Sequence, residues 1–456
     1  MIIDCFTFFN ELDILEGRLE YLYDQVDYFV IVEGNITHTG KPKPLNFLNN
    51  ISRYKPYLDK IMYFPWTCDT TNMKFDRPKT VDYGSSNWQL ENKQRNHISE
   101  ALKFFDHEDI CLIGDVDEIP SKRALYEIKN LLKFNAAVVI EQEMFAYNLN
   151  QKQFRPWAGT VATKVGIALS QTPQIIRDKR WGEMHIVRES GWHLTYWGGI
   201  EKVQEKITNF AHQELVDDNI SSLSYIKSRV DTGQDLFGRN LPYHKADPYK
   251  EPVDFLRAFG RYVGIHVDPK LIAPYADTVE GWFGLDDMSF YTFAYDQLPS
   301  NCHIVEIGSW KGRSSSHMAV MIANGNKQIK FDCVDTWEGS EEHQANAKFE
   351  DQDVLNNSLY NTFLKNMEPV KGYFAPIRAT SLGAAELYAD ASLDFIFIDA
   401  AHDYDNVRAD IIAWAPKLKP GGMLSGHDYP FPDVERAVTE LIGPVNVIGR
   451  CWYIRK

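Results

Sequence analysis

Two stretches of the chain hold residue types at spacings that can do chemistry. In ICLIGDVDEIP, Asp115 and Asp117 stand two apart just where an apolar run ends. Residues two apart in an extended chain point the same way, so both carboxylates can face one divalent cation, directly or through water. Oxygen ligands suit Mg2+ or Mn2+, which bridge and neutralise a diphosphate. A D-x-D triplet alone is common; the strand before it is what lifts it above a solvated loop. On the preceding helical stretch, Trp88, Glu91, Arg95, Ile98 and Leu102 share one face. Glu91 and Arg95 therefore lie on an apolar stripe, where an ion pair is costly unless it is satisfied or useful. They read either as a structural pair or as support for a nucleotide or metal site.

The second stretch, HIVEIGSWKGRSSSHMAVMIA, is an apolar strand, a glycine-containing turn and a helix. Gly308 and Gly312 allow the backbone to turn tightly and approach a ligand, and the helix start adds amides. The dinucleotide fingerprint GxGxxG is absent, which counts against NAD or FAD. Further on, LDFIFIDAAHD and GGMLSGHD bring Asp399, His402, His427 and Asp428 to two strand ends. Either histidine suits proton removal at neutral pH.

The elements that must position these groups fall into two alternating series. In the first, IIDCFTFF, DYFVIVEG, KIMYF and DICLIGD read as strands, with helices over ELDILEGRLEYLYDQV and WQLENKQRNHISEALKFF. VVIEQEMFAYNL is a further strand. The second series begins near Asn301 with CHIVEIG, IKFDCVD, GYFAPIRA, LDFIFID and GGMLSGHD as strands. This rhythm predicts an α/β chain of two domains, each with a largely parallel sheet that binds ligands at its strands' carboxyl ends. The boundaries are drawn at 1–262 and 283–456, with 263–282 as a connector.

The chain has 456 residues and a net charge of −15, which argues against a protein that wraps a nucleic-acid backbone. Residues 279–456 carry 15 basic and 25 acidic side chains, net −10, so the acidity lies mainly in the second series. No run reaches the ~18–20 apolar residues of a membrane span, and the N-terminus lacks the basic start of a signal peptide. The six cysteines form no CxxC pair; Cys5, Cys111 and Cys333 lie in strand-like runs and read as reduced core thiols. A cytoplasmic setting is the simplest placement.

DCFTFFNELDILEGRLEYLYDQVDYFVIVEGNITHTGKPKP, GDVDEIP, GWHLTYWGG, KITNFAHQE and VDTGQDLFGR together resemble glycosyltransferase family 17, over roughly residues 3–240. That resemblance implies a GT-A-like fold, a nucleotide-sugar donor (UDP-GlcNAc in the known activity), a glycan acceptor and inversion at the anomeric carbon. It assigns Asp115 and Asp117 to metal and diphosphate binding. His193 or His212 becomes a candidate for a further metal or phosphate contact. Inversion needs a base, for which Glu141, Glu143 and Glu183 are candidates, with Glu143 preferred. Trp157, Trp192 and Trp197 are candidates to stack on sugars.

The second series resembles class I S-adenosylmethionine methyltransferases, in particular the small-molecule O-methyltransferases of methyltransferase family 24, over roughly 283–456. The resemblance implies a Rossmann-like domain in which Glu306 and Gly308 lie near the methionine part, with Gly312 in the same loop. Asp335 would accept from the ribose hydroxyls. Related catechol-type enzymes hold Mg2+ with an acid on one strand end and a pair on the next. Asp399 and Asp428 match that pattern, while His427 stands where a carboxylate is usual. The expectation is a bifunctional enzyme that transfers a sugar and methylates a sugar hydroxyl. Its alternatives are a methyltransferase acting on an unrelated metabolite, or one degenerate, glycan-binding domain.

Overall fold

The run IIDCFTF forms β1 (Ile2–Phe8), buried along nearly its whole length, as expected for a central strand covered on both faces. A computed structural model describes every residue except Asp76, Glu183, Pro242, Glu341, Glu342 and Lys348; the Glu183 candidate thus lies outside the described residues. The chain divides into two units, Met1–Val267 and Asp268–Lys456.

In the first unit, β1 is joined in parallel by β2 (Tyr28–Gly34), β3 (Ile61–Trp66) and β4 (Ile110–Asp115), in the order β3-β2-β1-β4. The sheet continues through β5 (Glu118–Pro120), β6 (Ala137–Ala146), β7 (Gln151–Gln153), β8 (Trp157–Lys164), β9 (His185–Val187), β10 (Gly191–Thr195) and β11 (Tyr243–Lys245). β8 runs antiparallel between β4 and β6, and β10 bridges β6 and β5. This mixed sheet is consistent with a GT-A-like fold. Because β2 and β4 lie on opposite sides of β1, the strand order reverses there, and the crevice beyond the ends of β1 and β4 is the natural ligand position.

The helix Leu12–Leu22 packs on this sheet through Ile14, Leu15, Leu19 and Leu22. Gly17 admits the helix Val253–Phe259, since a Cβ there would stand 2.5 Å from the Phe259 ring. That helix therefore belongs to the first unit's core. Residues on both sides of the division at Val267 pack into their own unit: Ile265 into the first, Ala276 and Phe283 into the second. The single helix expected over 88–105 is broken into Ser86–Asn96 and Ile98–Leu102.

The second unit consists of β12 (Asn301–Ile307), β13 (Gln328–Asp335), β14 (Ala375–Arg378), β15 (Leu393–Ile398), β16 (Leu418–Gly426), β17 (Asn446–Ile448) and β18 (Cys451–Arg455). Its order is β14-β13-β12-β15-β16-β18-β17, with the first five strands parallel and β18 antiparallel to β16. This is a Rossmann-like sheet. Here the order reverses at β12, which places the glycine turn at the switch point. All six cysteines are free. Among the described residues, no helix is long and apolar enough to cross a membrane.

Candidate functional sites

Asp115 ends β4 directly opposite Thr7 of β1, in the crevice the sheet defines. Its Oδ1 accepts from Arg95 Nη2 at 2.9 Å and from Thr7 Oγ1 at 3.0 Å, and its Oδ2 accepts from Arg177 Nη2 at 2.7 Å. Arg95 also pairs with Glu91 at 3.1 Å, so the two stripe residues are indeed joined, and both lead to Asp115. Glu118, fully buried, takes both Arg177 nitrogens at 2.6 and 2.8 Å and Trp157 Nε1 at 2.7 Å. Burial alone would raise the Asp115 pKa, but Arg177 and Arg95 hold it well below the usual carboxylate range.

Asp117 is separate from this group. Its Oδ2 accepts from Lys206 Nζ at 2.6 Å, with His193 Nε2 3.7 Å away. Lys206 and, less strongly, His193 keep its pKa low against the cost of burial. Both oxygens of Asp115 are therefore occupied by cationic donors and one of Asp117 by an ammonium. Among the described residues, neither joins a group of three ligands able to hold a metal. The expected Mn2+ or Mg2+ does not fit Asp115 as it stands, because both carboxylate oxygens are held by arginines.

The turn carrying these acids is held from below. Arg18 lies on the buried face of its helix, fully inaccessible, and binds Asp4 through two nitrogens at 2.7 and 2.6 Å. Its remaining Nη1 donates to three carbonyls of the turn: Asp115 at 3.0 Å, Val116 at 3.1 Å and Glu118 at 2.7 Å. Sequence reasoning missed Arg18, although it sits three residues after Leu15 and four before Leu22 on the apolar stripe. It also passed over Glu118, Arg177 and Lys206.

The other candidates in this unit fall elsewhere. Glu143 forms an ion pair with Lys152, and Glu141 stands 4.0 Å from Arg188. His212 bonds Glu214 at 2.6 Å and sets its ring edge-on to Trp88 rather than joining the two aspartates. Trp192 is core, stacked on Phe255, and Trp197 is also buried. Of the three tryptophans, Trp157 is the one bonded into the acidic turn.

In the second unit a cavity of about 370 Å³ runs from the glycine turn to the ends of β15 and β16. Gly308, Asp335, Asp399, His402, His427 and Asp428 all line it. Gly308 has φ +92°, and a Cβ there would stand 2.0 Å from the Asp399 carbonyl oxygen, so only glycine lets the turn pass the end of β15. Gly312, at φ +91°, starts the following helix and packs near Met367. Asp335 accepts from the amides of Trp310 and Trp337 at 2.8 and 2.7 Å. Burial raises its pKa against those bonds.

Glu306 is not a cavity-lining residue. It is fully buried beneath the turn, where Tyr291 donates to it at 2.6 Å and Ser315 also donates. Burial pushes its pKa up to about 7, against the hydrogen bonds of Ser315 and Tyr291. From there it supports the turn that carries Gly308. A pKa raised in the folded state means that the native form holds an extra proton between about 4.5 and 7, so this group's contribution falls as pH rises through that window. In cofactor-free protein, the stability difference between wild type and Glu306→Gln should fall by roughly 3 kcal/mol across it. Urea denaturation at a series of pH values reads this, and a flat difference would contradict it.

At the cavity's acidic edge, His427 Nδ1 lies 3.4 Å from Asp399 Oδ1 and 3.2 Å from Asp428 Oδ2. Its Nε2 lies 3.1 Å from Asp287 Oδ2, and His402 Nε2 lies 3.0 Å from Asp428. Arg450 reaches Asp428 at 3.2 Å and Asp287 at 3.3 Å. Burial would lower the His427 pKa, but Asp399, Asp287 and Asp428 push it up to about 12. That field favours a cation at this point, either the ring's own proton or a divalent ion in its place. Asp399, His427 and Asp428 offer three ligand atoms within 4.8 Å of one another, a mixed nitrogen and oxygen set that fits a divalent cation. Asp287, unforeseen from sequence, is the acid that faces the far side of the His427 ring.

The two units form an α/β chain with a polar crevice in each, one rich in paired acids and arginines, the other lined by a glycine turn, acids and histidines. The family model for glycosyltransferase family 17 matches residues 1–256, and the chain belongs to that family. A methyltransferase domain model matches residues 305–429. The rat β-1,4-mannosyl-glycoprotein 4-β-N-acetylglucosaminyltransferase (Rattus norvegicus) is 22% identical over 289 residues, 54% of this chain and 50% of that protein. The uncharacterized protein y4gI of Sinorhizobium fredii is 29% identical over 125 residues, 27% of this chain and 13% of that one. The chain thus spans at most about half the length of these two relatives. Among solved structures, the calicheamicin methyltransferase CalS11 aligns with TM-score 0.29 and 15% identity, over 37% of this chain and 78% of its own.

Proposed function

We propose that the chain is a bifunctional glycan-modifying enzyme. Its first unit transfers a sugar, GlcNAc from UDP-GlcNAc, with inversion onto a glycan acceptor; its second uses S-adenosylmethionine to methylate a hydroxyl of the same glycan or a related sugar. The observation that carries the reading is that each unit gathers its polar groups at the switch point of its sheet, where α/β folds bind ligands. Likeness to the rat transferase supports the donor. Tethering raises the effective concentration of one product at the other site where geometry allows. The six free thiols support a reducing compartment.

In the first unit, Asp115 and Glu118 hold Arg95 and Arg177 in fixed positions, and Asp117 holds Lys206. Such preset cations meet an incoming diphosphate without reorganisation. In the second unit, the Gly308 turn would let the cofactor approach the backbone, and His402 would take the acceptor hydroxyl's proton; S-adenosylmethionine, when bound, would supply the methyl group to that oxygen and depart as S-adenosylhomocysteine. Asp399, His427 and Asp428 would hold a divalent cation, which when bound makes the acceptor hydroxyl more acidic.

The two activities should be lost separately. Asp117→Ala should cut sugar transfer roughly a hundredfold or more while methyl transfer persists, and Asp399→Asn should do the reverse. Assays of UDP release and of S-adenosylhomocysteine release test this. Loss of neither activity in its own variant would overturn the site assignments.

A further inference from the structure

Beside the acidic turn lies a guanidinium that forms no ion pair among the described residues. Arg180 stands 5.6 Å from the ring centre of Trp157 and 5.0 Å from that of Trp181. The two indoles meet edge to face at 5.4 Å, and Trp181 is 62% exposed. The acids around it are already used. Both oxygens of Glu118 are taken by Arg177, with Trp157 and the Asp115 amide as further donors. Both oxygens of Asp115 are taken by Arg95 and Arg177. Among the described residues, no carboxylate lies within ion-pair distance of Arg180, and its buried Nε has no hydrogen-bond partner. Burial, together with Arg177 and against the charges of Glu118 and Asp115, weakens its hold on its own proton, bringing the pKa down to about 10.

A stacked, partly dehydrated arginine with no ion-pair partner among the described residues is costly to keep, and an anion would relieve that cost. Guanidinium groups match phosphate oxygens in pairs, and the two indoles restrict how the side chain can turn. We infer that Arg180 binds the diphosphate of the sugar donor and supplies positive charge that Asp115, bound by two arginines, leaves no room for a metal to supply. This rests on the donor reading given above and adds to it the residue that recognises the phosphates.

Calorimetry of the full-length protein with UDP and with uridine tests it. Wild type should bind UDP more tightly than uridine. Arg180→Ala should weaken UDP roughly ten- to a hundredfold and leave uridine unchanged, while Arg180→Lys, which keeps the charge but loses the fork, should fall between. Equal UDP binding by wild type and Arg180→Ala would overturn the Arg180 assignment and leave the donor reading standing. Equal losses for UDP and uridine would mark a structural role and overturn it too. Wild type that does not distinguish UDP from uridine would overturn the donor reading itself, and Arg180 with it.

Discussion

Replacing Arg18 with alanine is expected to destabilise the first unit by about 3–5 kcal/mol, the usual consequence of removing one partner of a buried ion pair. Asp4 would be left fully buried without its counterion, and three carbonyls of the acidic turn would lose their donor. Sugar transfer should be lost with it, because the turn sets the positions of Asp115 and Glu118. Arg18→Lys should rescue little, since one ammonium cannot replace five donors held in a fork. A paired change, Arg18→Met with Asp4→Leu, separates the two roles. It should recover much of the stability, as apolar replacement of buried ion pairs often does, but not sugar transfer. Thermal scans following the first unit's transition, with donor turnover measured alongside, check this. Wild-type melting and turnover in Arg18→Ala would refute the clamp.

The second large effect is expected at Gly308. An alanine there meets the Asp399 carbonyl oxygen at 2.0 Å and must also adopt φ +92°. The backbone conformation alone costs ~1–3 kcal/mol, and the collision must move either the turn or the end of β15, both of which line the cavity. S-adenosylmethionine affinity should fall at least about tenfold to a hundredfold. Gly372→Ala is the matched control. Its φ is +94°, yet a Cβ there meets nothing within 4 Å, so it should lower stability without touching cofactor binding. Calorimetry with the cofactor reads both variants. If Gly308→Ala binds as well as wild type, the turn is not the cofactor's seat.

How much of this was readable in the sequence depends on the range of the interaction. The strands were legible because their apolar runs are local, as in IIDCFTF or LDFIFI, and the loop residues Gly308 and Asp335 because they follow such runs directly. Asp399, His402, His427 and Asp428 were legible for the same reason. The partners that fix these groups are distant in sequence. Arg18 reaches a carbonyl 97 residues away, Arg177 an acid 62 residues away, and Lys206 one 89 residues away. Nothing in TPQIIRDKRW marks Arg177 or Arg180 until β8 and the acidic turn are placed beside them. Asp287 lies near the start of the helix Leu285–Gln297 and reads as an ordinary helix-start acid until β16 delivers His427 to it. Glu306 was legible as part of a motif, but its depth was not, because which face of a buried strand meets a ligand is settled by neighbours and not by spacing.

The central claim is that one chain both extends and methylates a glycan. Mass spectrometry of a glycan-acceptor panel incubated with the full-length protein, UDP-GlcNAc, S-adenosylmethionine and Mn2+ tests it most directly. The expected product is an acceptor that gains both one N-acetylhexosamine and one methyl group, the sugar lost with Asp117→Ala and the methyl lost with Asp399→Asn. A methyl group found only on an unrelated metabolite, or no sugar gained by any glycan in the panel, would contradict it.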